Sequence, residues 1–182
     1  MPPRSPAPCD VADWLTQEFI GPFERDVDPK IWSGDRGHYA IPMLVLSFCD
    51  AMAGLVNGKA NGGTLLTVRF IEDEVSKHAG EREIAERYRS RAIGLWLLYR
   101  HGLVHRGEPG RLVVGGKEIR WAIYRRFDRV KVHMRLLTQV WNKMYKLEID
   151  ADLLYSHVLA TFHDIRNRAA SDPELAGLIH AG

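Results

Sequence analysis

The sequence predicts a mainly α-helical fold with a small antiparallel β appendage, and three observations support this prediction. Most segments place apolar residues at the three- and four-residue spacing of one helix face. A period of two replaces this spacing after Pro109, where a glycine pair separates two apolar runs. The 182 residues are 46% hydrophobic, which is enough to bury the core of one domain, or of one domain with an appendage.

Helical periodicity organises the N-terminal half of the chain. Apolar residues recur every three or four positions in segments that predict helices over residues 10–20, 38–56, 64–78 and 81–99. The segment 38–56 is apolar nearly all round, so we expect it at the centre of an antiparallel bundle. The remaining segments predict a flexible leader over 1–9, a loop over 21–37 and a glycine-rich turn over 57–63.

Strand patterns follow Pro109. Leu112–Val114 and Glu118–Tyr124 flank Gly115-Gly116, which predicts a β-hairpin with a two-residue turn. Alternating apolar residues predict two further strands, over 130–136 and 143–149. A helix over 134–145 is the alternative for this stretch.

The C-terminal segment returns to helical spacing. Asp150 is placed to cap a final helix that ends near Ala169, and a tail is expected from Ser171 onward. The expected organisation is therefore a helical core over 10–107, a β-rich appendage over 108–149, a C-terminal helix over 150–170 and a tail over 171–182.

The candidate site lies at the end of the 81–99 helix, where the chain reads Tyr99-Arg100-His101-Gly102-Leu103-Val104-His105. Residues five apart on a helix are rotated by roughly 140°, so Arg100 and His105 converge only where the helix bends or ends between them. Gly102 could provide that break, because glycine tolerates the left-handed conformation that ends helices. An arginine that binds a phosphate and a histidine that moves a proton suit phosphodiester chemistry. Alternatively, both side chains only cap the helix.

The same segment resembles the signature of HEPN-domain proteins, in which a polar residue follows an arginine and a histidine lies four to six positions beyond that arginine. Residues 36–55 are also similar to the first core helix of small bacterial members, so the resemblance covers residues 37–107. It implies a helical bundle, a homodimer with the active cleft between its subunits, and metal-independent cleavage of RNA. Other members are inactive or are partners of nucleotidyltransferases.

The resemblance also implies roles for individual residues. Arg100 would stabilise the charged phosphorane, His105 would exchange the proton of a ribose 2′-hydroxyl, and His101 would orient the pair from the motif's polar position. The family often has Asn or Asp at that position. No cofactor or metal ion is implied. Asp50 and Tyr99 are expected to support the site, since a buried carboxylate needs a partner such as Arg100. Alternatively, Asp50 caps a helix or faces water.

Positive charge is concentrated around the motif. Between Arg82 and Arg135 the sequence has fourteen Lys and Arg against five Asp and Glu, although the whole chain carries a net charge of only +2. Such a surface attracts a polyanion. We therefore assign nucleic-acid contacts to Arg89, Trp96, Arg106 and Arg111. The alternatives are that the arginines pair with acids from other segments and that Trp96 packs in the core or in a dimer interface.

Composition argues against several other classes of protein. No apolar run reaches the roughly 18 residues of a membrane span, and the start of the chain lacks the apolar region of a signal peptide, so a cytoplasmic location is expected. Cys9 and Cys49 form neither a metal-binding spacing nor a disulfide framework. His133, His157 and His163 form no recognisable metal set and are expected to be ordinary residues.

Three functions remain open at this point. The preferred one is a homodimeric, metal-independent endoribonuclease. The second is a non-catalytic HEPN-like module that binds a nucleotide or a partner protein, such as a cognate antitoxin in a toxin–antitoxin pair or a nucleotidyltransferase. The third is a helical dimerisation protein without a ligand, which would tie Arg100 to an acid such as Asp50 and bury His105 away from any cleft.

Overall fold

The computed structural model describes residues 7–31, 39–102, 110–125, 133–139 and 144–182. This part of the chain is mainly helical and carries one four-stranded sheet, which confirms the predicted mainly α fold with a small sheet. The helices are α1 (Pro8–Trp14), α2 (Gly21–Val27), α3 (Ala40–Leu55), α4 (Gly63–Asp73), α5 (Arg82–Leu95), α6 (Ala151–Ala169) and α7 (Pro173–Ala181). The strands are β1 (Leu112–Val114), β2 (Lys117–Tyr124), β3 (Arg135–Gln139) and β4 (Met144–Asp150).

Four short helical turns complete the described elements. Two are π-helical, Leu15–Ile20 and Trp96–His101, and two are 3₁₀, Pro29–Ile31 and Val75–His78. None of the helices in the described ranges combines the length and the apolar composition of a membrane span.

The first helical region extends further than the sequence predicts. The helix α2 follows the first π-helical turn directly, so the prediction of a loop from Gly21 onward is wrong for α2. Gly21 has right-handed helical angles, φ −59° and ψ −47°. Phe23 and Val27 are fully buried, and the ring centroid of Phe23 lies 5.0 Å from those of both Phe48 and Phe162. Burial of these side chains outweighs the weak local preference of glycine and proline for a loop.

The central position predicted for residues 38–56 is confirmed. The helix α3 buries one side chain after another along its length: Ile41, Val45, Leu46, Cys49, Met52 and Ala53. The glycine-rich turn that follows packs back onto α3, where an added Cβ on Gly54 would lie 2.5 Å from the carbonyl carbon of Asn61. Only glycine fits that approach. The helix predicted over 64–78 is then confirmed as α4 and the 3₁₀ turn after it.

The predicted hairpin is confirmed, but the sheet is mixed rather than antiparallel. Gly115 and Gly116 have φ of 56° and 74°, which a two-residue hairpin turn of type I′ requires. The strand order is β1-β2-β4-β3, in which β2 pairs with β4 in parallel and β3 pairs with β4 in antiparallel fashion. The prediction of an antiparallel sheet is therefore wrong at its centre. The strand β3 pairs with β4 on the side away from β2 and runs antiparallel to both. The chain direction therefore reverses between β2 and β3 and again between β3 and β4, so β4 runs parallel to β2.

The later strands differ from the prediction in their limits. The strand predicted over 143–149 is confirmed as β4, while β3 overlaps the strand predicted over 130–136 only at its last two positions. Residues 130–132 lie outside the described part of the chain. The alternative helix over 134–145 does not form in the described part of this stretch, because residues 135–139 belong to β3 and residues 144–145 belong to β4.

The sheet packs directly on the helical core through Tyr99, which is fully buried. The Tyr99 hydroxyl lies 2.6 Å from the carbonyl oxygen of Leu147 in β4, to which it donates. In β2 the amide of Ala122 donates to the Tyr99 oxygen at 3.2 Å. Ile123, Leu147 and Ile149 are buried on the helix-facing side. One phenol therefore joins the helix that carries Arg100 to both central strands.

The C-terminal region contains two capped helices. The Asp150 carboxylate accepts hydrogen bonds from the amides of Asp152 and Leu153 at 2.9 and 3.1 Å, which confirms the predicted cap of α6. The prediction of a tail from Ser171 is wrong, because α7 follows and buries Ala176 and Ile179. Asp172 caps α7, and Pro173 occupies its first turn, where the missing amide hydrogen costs nothing.

We expect Tyr99→Phe to destabilise the fold by about 1–3 kcal/mol, because backbone groups of both central strands lose their hydrogen bonds to the Tyr99 hydroxyl. Urea unfolding followed by circular dichroism measures the loss. Tyr39→Phe is the matched control, since Tyr39 is 44% exposed. Equal midpoints for the two variants would contradict this role of the Tyr99 hydroxyl.

Candidate functional site

Arg100 lies in the π-helical turn Trp96–His101, which continues α5. Gly102 has φ −61° and ψ −53°, so the left-handed conformation considered for it is not adopted, and the helical backbone continues through this residue. His105 and Arg106 lie outside the described residues. The structure therefore places the arginine of the motif, and the expected convergence of Arg100 and His105 stays a prediction.

The π-helical turn brings Arg100 over Trp96. The guanidinium carbon of Arg100 lies 5.3 Å from the centroid of the Trp96 ring, within the range of a cation–π contact. The indole is only 4% exposed, and its Nε1 donates to the Thr64 hydroxyl at 3.1 Å. Because the ring is buried, the packing alternative for Trp96 agrees with the structure better than base stacking does.

The carboxylate of Asp50 faces Arg100 from α3. Arg100 Nη2 lies 3.8 Å from Asp50 Oδ2, and the two side chains are 21% and 16% exposed. The other carboxylate oxygen, Oδ1, accepts a hydrogen bond from the Thr67 hydroxyl at 2.8 Å. Of the alternatives for Asp50, the structure therefore shows the pairing with Arg100. The sequence offered no sign of Thr67, because it lies 17 positions from Asp50 on another helix.

One donor of the Arg100 guanidinium has no acceptor. Its Nε is buried and makes no hydrogen bond to the described residues. A buried donor without a partner is energetically costly. The site therefore presents a guanidinium that is packed on one face, restrained by a carboxylate and incompletely hydrogen-bonded.

The remaining predicted site residues that the structure describes differ in exposure. His101 is exposed, whereas Tyr99 is buried and supports the site by holding its helix on the sheet. Burial raises the pKa of the Tyr99 hydroxyl, which therefore stays protonated. Arg89 is exposed, and its Nη1 donates to Glu86 at 2.8 Å. Arg111 is exposed near the start of β1. Because Trp96 is buried and Arg89 is exposed, the predicted line of Arg89, Trp96 and Arg100 is not one binding face.

Two cavities lie away from Arg100. One of about 490 Å³ is lined by α1 and α7 residues that include Val11, Trp14 and Ile179. The other, of about 580 Å³, lies between the end of α2 and the start of α6 and is lined by a set that includes Arg125 and Asp152. Neither cavity contains a predicted site residue.

A second polar cluster, which the sequence analysis missed, is buried beneath α5. The Tyr88 oxygen lies 2.6 Å from His133 Nε2 and 3.1 Å from His157 Nδ1. The backbone amide of Asp150 donates to His133 Nδ1 at 3.0 Å. His133 therefore carries its hydrogen on Nε2 and donates it to Tyr88, which in turn donates to His157. Each hydrogen bond is satisfied when both histidines are neutral.

Two arginines of α5 fix the backbone beside this cluster. Arg87 Nη1 donates to the carbonyl oxygen of His133 at 3.0 Å, and Arg91 Nη1 donates to the carbonyl oxygen of Met134. Met134 has φ of 56°, an uncommon conformation for a residue with a side chain. These basic residues of the positive segment therefore bind backbone carbonyls within the fold instead of forming a free polyanion surface.

Burial changes the ionisation of the clustered groups. It lowers the pKa of His157 to about 4, with a smaller contribution from His78, and it lowers the pKa of His133 well below its usual value. Burial raises the pKa of the Tyr88 hydroxyl and of the Cys49 thiol. Cys49 is thus a protonated core residue. Among the described residues, no group of three or more His, Cys, Asp or Glu is placed to hold a metal ion.

Comparisons of the chain with protein-family models, with curated proteins and with solved structures found no match.

We expect acid to destabilise the protein through His157. Its pKa is about 4 in the folded chain and about 6.5 when unfolded, so the unfolded state binds more protons between these values. The contribution of neutral His157 to the free energy of unfolding is complete above about pH 6.5. It falls by up to about 3 kcal/mol as the pH drops to about 4. His157→Gln, which keeps an acceptor for Tyr88, should reduce the fall in the free energy of unfolding across this range, while His133, whose pKa is also lowered, maintains part of it.

The control for this pH series is His163→Gln, because the His163 side chain is 49% exposed. An identical pH profile for wild type and His157→Gln would contradict the assignment.

Proposed function

We propose that the chain is a HEPN-like, metal-independent endoribonuclease that acts as a homodimer and cleaves RNA through attack of a ribose 2′-hydroxyl. The observation that carries this proposal is the state of the Arg100 guanidinium. It lies over Trp96, faces Asp50 at 3.8 Å and has a buried Nε that finds no acceptor among the described residues. In the sequence it stands five positions before His105.

Arg100 supplies the charge that phosphodiester cleavage requires. A phosphodiester oxygen would bind the accessible part of the Arg100 side chain, which is 21% exposed, and a guanidinium that is already restrained loses little entropy on binding it. As the phosphorane forms, negative charge increases on the same oxygens, so the interaction strengthens in the transition state.

His105 and His101 complete the proposed chemistry. His105 takes the proton of the 2′-hydroxyl while O2′ forms a bond to phosphorus. The bond from phosphorus to O5′ then breaks, and O5′ receives a proton. The products are a 2′,3′-cyclic phosphate and a 5′-hydroxyl. His101, which is exposed beside Arg100, orients the pair. By the resemblance, two copies of the site face each other across a dimer interface.

The test is incubation of the purified protein with matched RNA and DNA oligonucleotides in excess chelator. We expect cleavage of RNA alone, with 2′,3′-cyclic phosphate ends, because DNA lacks the attacking hydroxyl. Arg100→Ala and His105→Ala should each reduce the rate by at least about 100-fold. Arg25→Ala is the control, since Arg25 is an exposed arginine paired with Asp26. Cleavage that requires a divalent ion, or equal cleavage of DNA, would exclude the mechanism.

A second function is favoured by the contact between Asp50 and Arg100. The carboxylate already offsets part of the guanidinium charge, which suits a non-catalytic module that binds a nucleotide or a partner protein, such as an antitoxin or a nucleotidyltransferase. A dimerisation protein without a ligand would also contain this contact. It would in addition bury His105 away from any cleft, and His105 lies outside the described residues.

The double variant Arg100→Ala/His105→Ala separates the two leading functions. The endoribonuclease predicts that cleavage and any toxicity in cells disappear while circular dichroism shows a retained fold, because both reacting groups are gone. Unaltered RNA binding and toxicity in the folded double variant would instead support the binding module. Arg25→Ala again serves as the control.

A further inference from the structure

We infer that the Thr67 hydroxyl is a positioning group that keeps Arg100 available to an oxyanion by restraining Asp50. This inference rests on the proposed function, in which Arg100 binds an RNA phosphodiester. It adds a residue of α4 that the motif does not contain. It also gives a role to the glycine-rich turn, which the sequence presents only as a connector.

The contact between Asp50 and Arg100 is looser than such pairs usually are. Arginine and carboxylate groups commonly approach to about 2.7–2.9 Å and often form two parallel hydrogen bonds. Here the distance from Arg100 Nη2 to Asp50 Oδ2 is 3.8 Å, which is too long for a hydrogen bond. A carboxylate free to rotate in a half-buried site would close this distance, so something restrains it.

Thr67 provides that restraint. Its fully buried hydroxyl lies 2.8 Å from Asp50 Oδ1, which directs this oxygen toward α4 and places Oδ2 nearest to Arg100. The hydroxyl also lies 2.7 Å from the carbonyl oxygen of Gly63. The hydroxyl has one hydrogen and donates to one of these oxygens at a time. Donation to the carboxylate is the stronger bond because that acceptor is charged, and the Gly63 oxygen keeps its regular helical donor, the Thr67 amide.

The glycine-rich turn holds Thr67 and Asp50 at this distance. The amide of Gly62 donates to the backbone oxygen of Asp50 at 2.8 Å. A Cβ at Gly62 would lie 2.7 Å from the Thr67 hydroxyl and 2.9 Å from the same Asp50 oxygen. Because no side chain fits there, the end of the turn packs against both groups at once, and the register of α4 on α3 is fixed.

The Arg100 guanidinium is therefore restrained, although not all of its donors are hydrogen-bonded to described residues. With Oδ1 directed toward Thr67, Asp50 meets Arg100 through Oδ2 alone, and Arg100 Nε remains buried without an acceptor among the described residues. Without the hydroxyl, the carboxylate would rotate, bind Arg100 with both oxygens and compete with a phosphate. In this inference the Thr67 hydroxyl lets Asp50 orient Arg100 without forming a two-point ion pair that would exclude a phosphate.

The experiment compares Thr67→Val, which keeps the branched shape, with Thr67→Ser, which keeps the hydroxyl. Binding of inorganic phosphate is followed through the ¹⁵N resonance of the Arg100 Nε–H, assigned by its loss in Arg100→Lys. We expect Thr67→Val to weaken phosphate binding by about tenfold and Thr67→Ser to match wild type. In the Thr67→Val/Asp50→Asn variant, binding should return, because the competing charge is gone.

Asp50→Asn alone covers the case in which Thr67→Val does not fold. Its amide oxygen still accepts from Thr67, and we expect phosphate binding equal to or tighter than wild type. Unchanged binding in folded Thr67→Val, no recovery in the double variant, or weaker binding in Asp50→Asn would each overturn the inference. If phosphate binding follows the expected order but wild type leaves RNA intact, the positioning role stands and the endoribonuclease fails.

Discussion

The hydrogen bonds of the buried Tyr99 hydroxyl fix the helix of the candidate site on the two central strands. Tyr99 and Arg100 are consecutive residues of one π-helical turn, so when the phenol binds β2 and β4, the guanidinium is directed to another side of the helix. Asp50 and Trp96 meet it there. Tyr88 anchors α5 further upstream through His133 and His157. The helix that carries Arg100 is therefore anchored at two positions along its length. A backbone held in this way can keep a side chain in place even when that side chain is only partly hydrogen-bonded.

Much of the fold could be predicted from local signals, because those signals act over a few residues. Gly115-Gly116 specifies the hairpin turn, the apolar surface of α3 specifies a central helix, and the Asp150 carboxylate caps α6. Predictions failed where distant contacts decide the outcome. The loop propensity of Gly21 was overridden when Phe23 entered an aromatic cluster. The parallel pairing of β2 with β4 follows from the route of the chain through β3, which no short segment encodes.

The candidate site shows the same division. The sequence was sufficient to select Arg100 and to consider Asp50 as its partner, since a carboxylate in an apolar helix needs a cation. It was not sufficient to decide between packing and base stacking for Trp96, because the burial of this ring depends on the neighbouring helix α4, whose Thr64 accepts from the indole. Thr67 could not be identified either, since its role depends on how closely α4 approaches α3.

The parallel pairing of β2 with β4 also determines when the region around Arg100 is complete during synthesis. The carbonyl of Leu147 that binds Tyr99 belongs to β4, whereas the arginine itself is made about fifty residues earlier. A nascent chain that stops before Met144 has no acceptor in β4 for this phenol, and one edge of β2 has no partner. The helix bearing the arginine can therefore form on the ribosome well before the sheet that orients it.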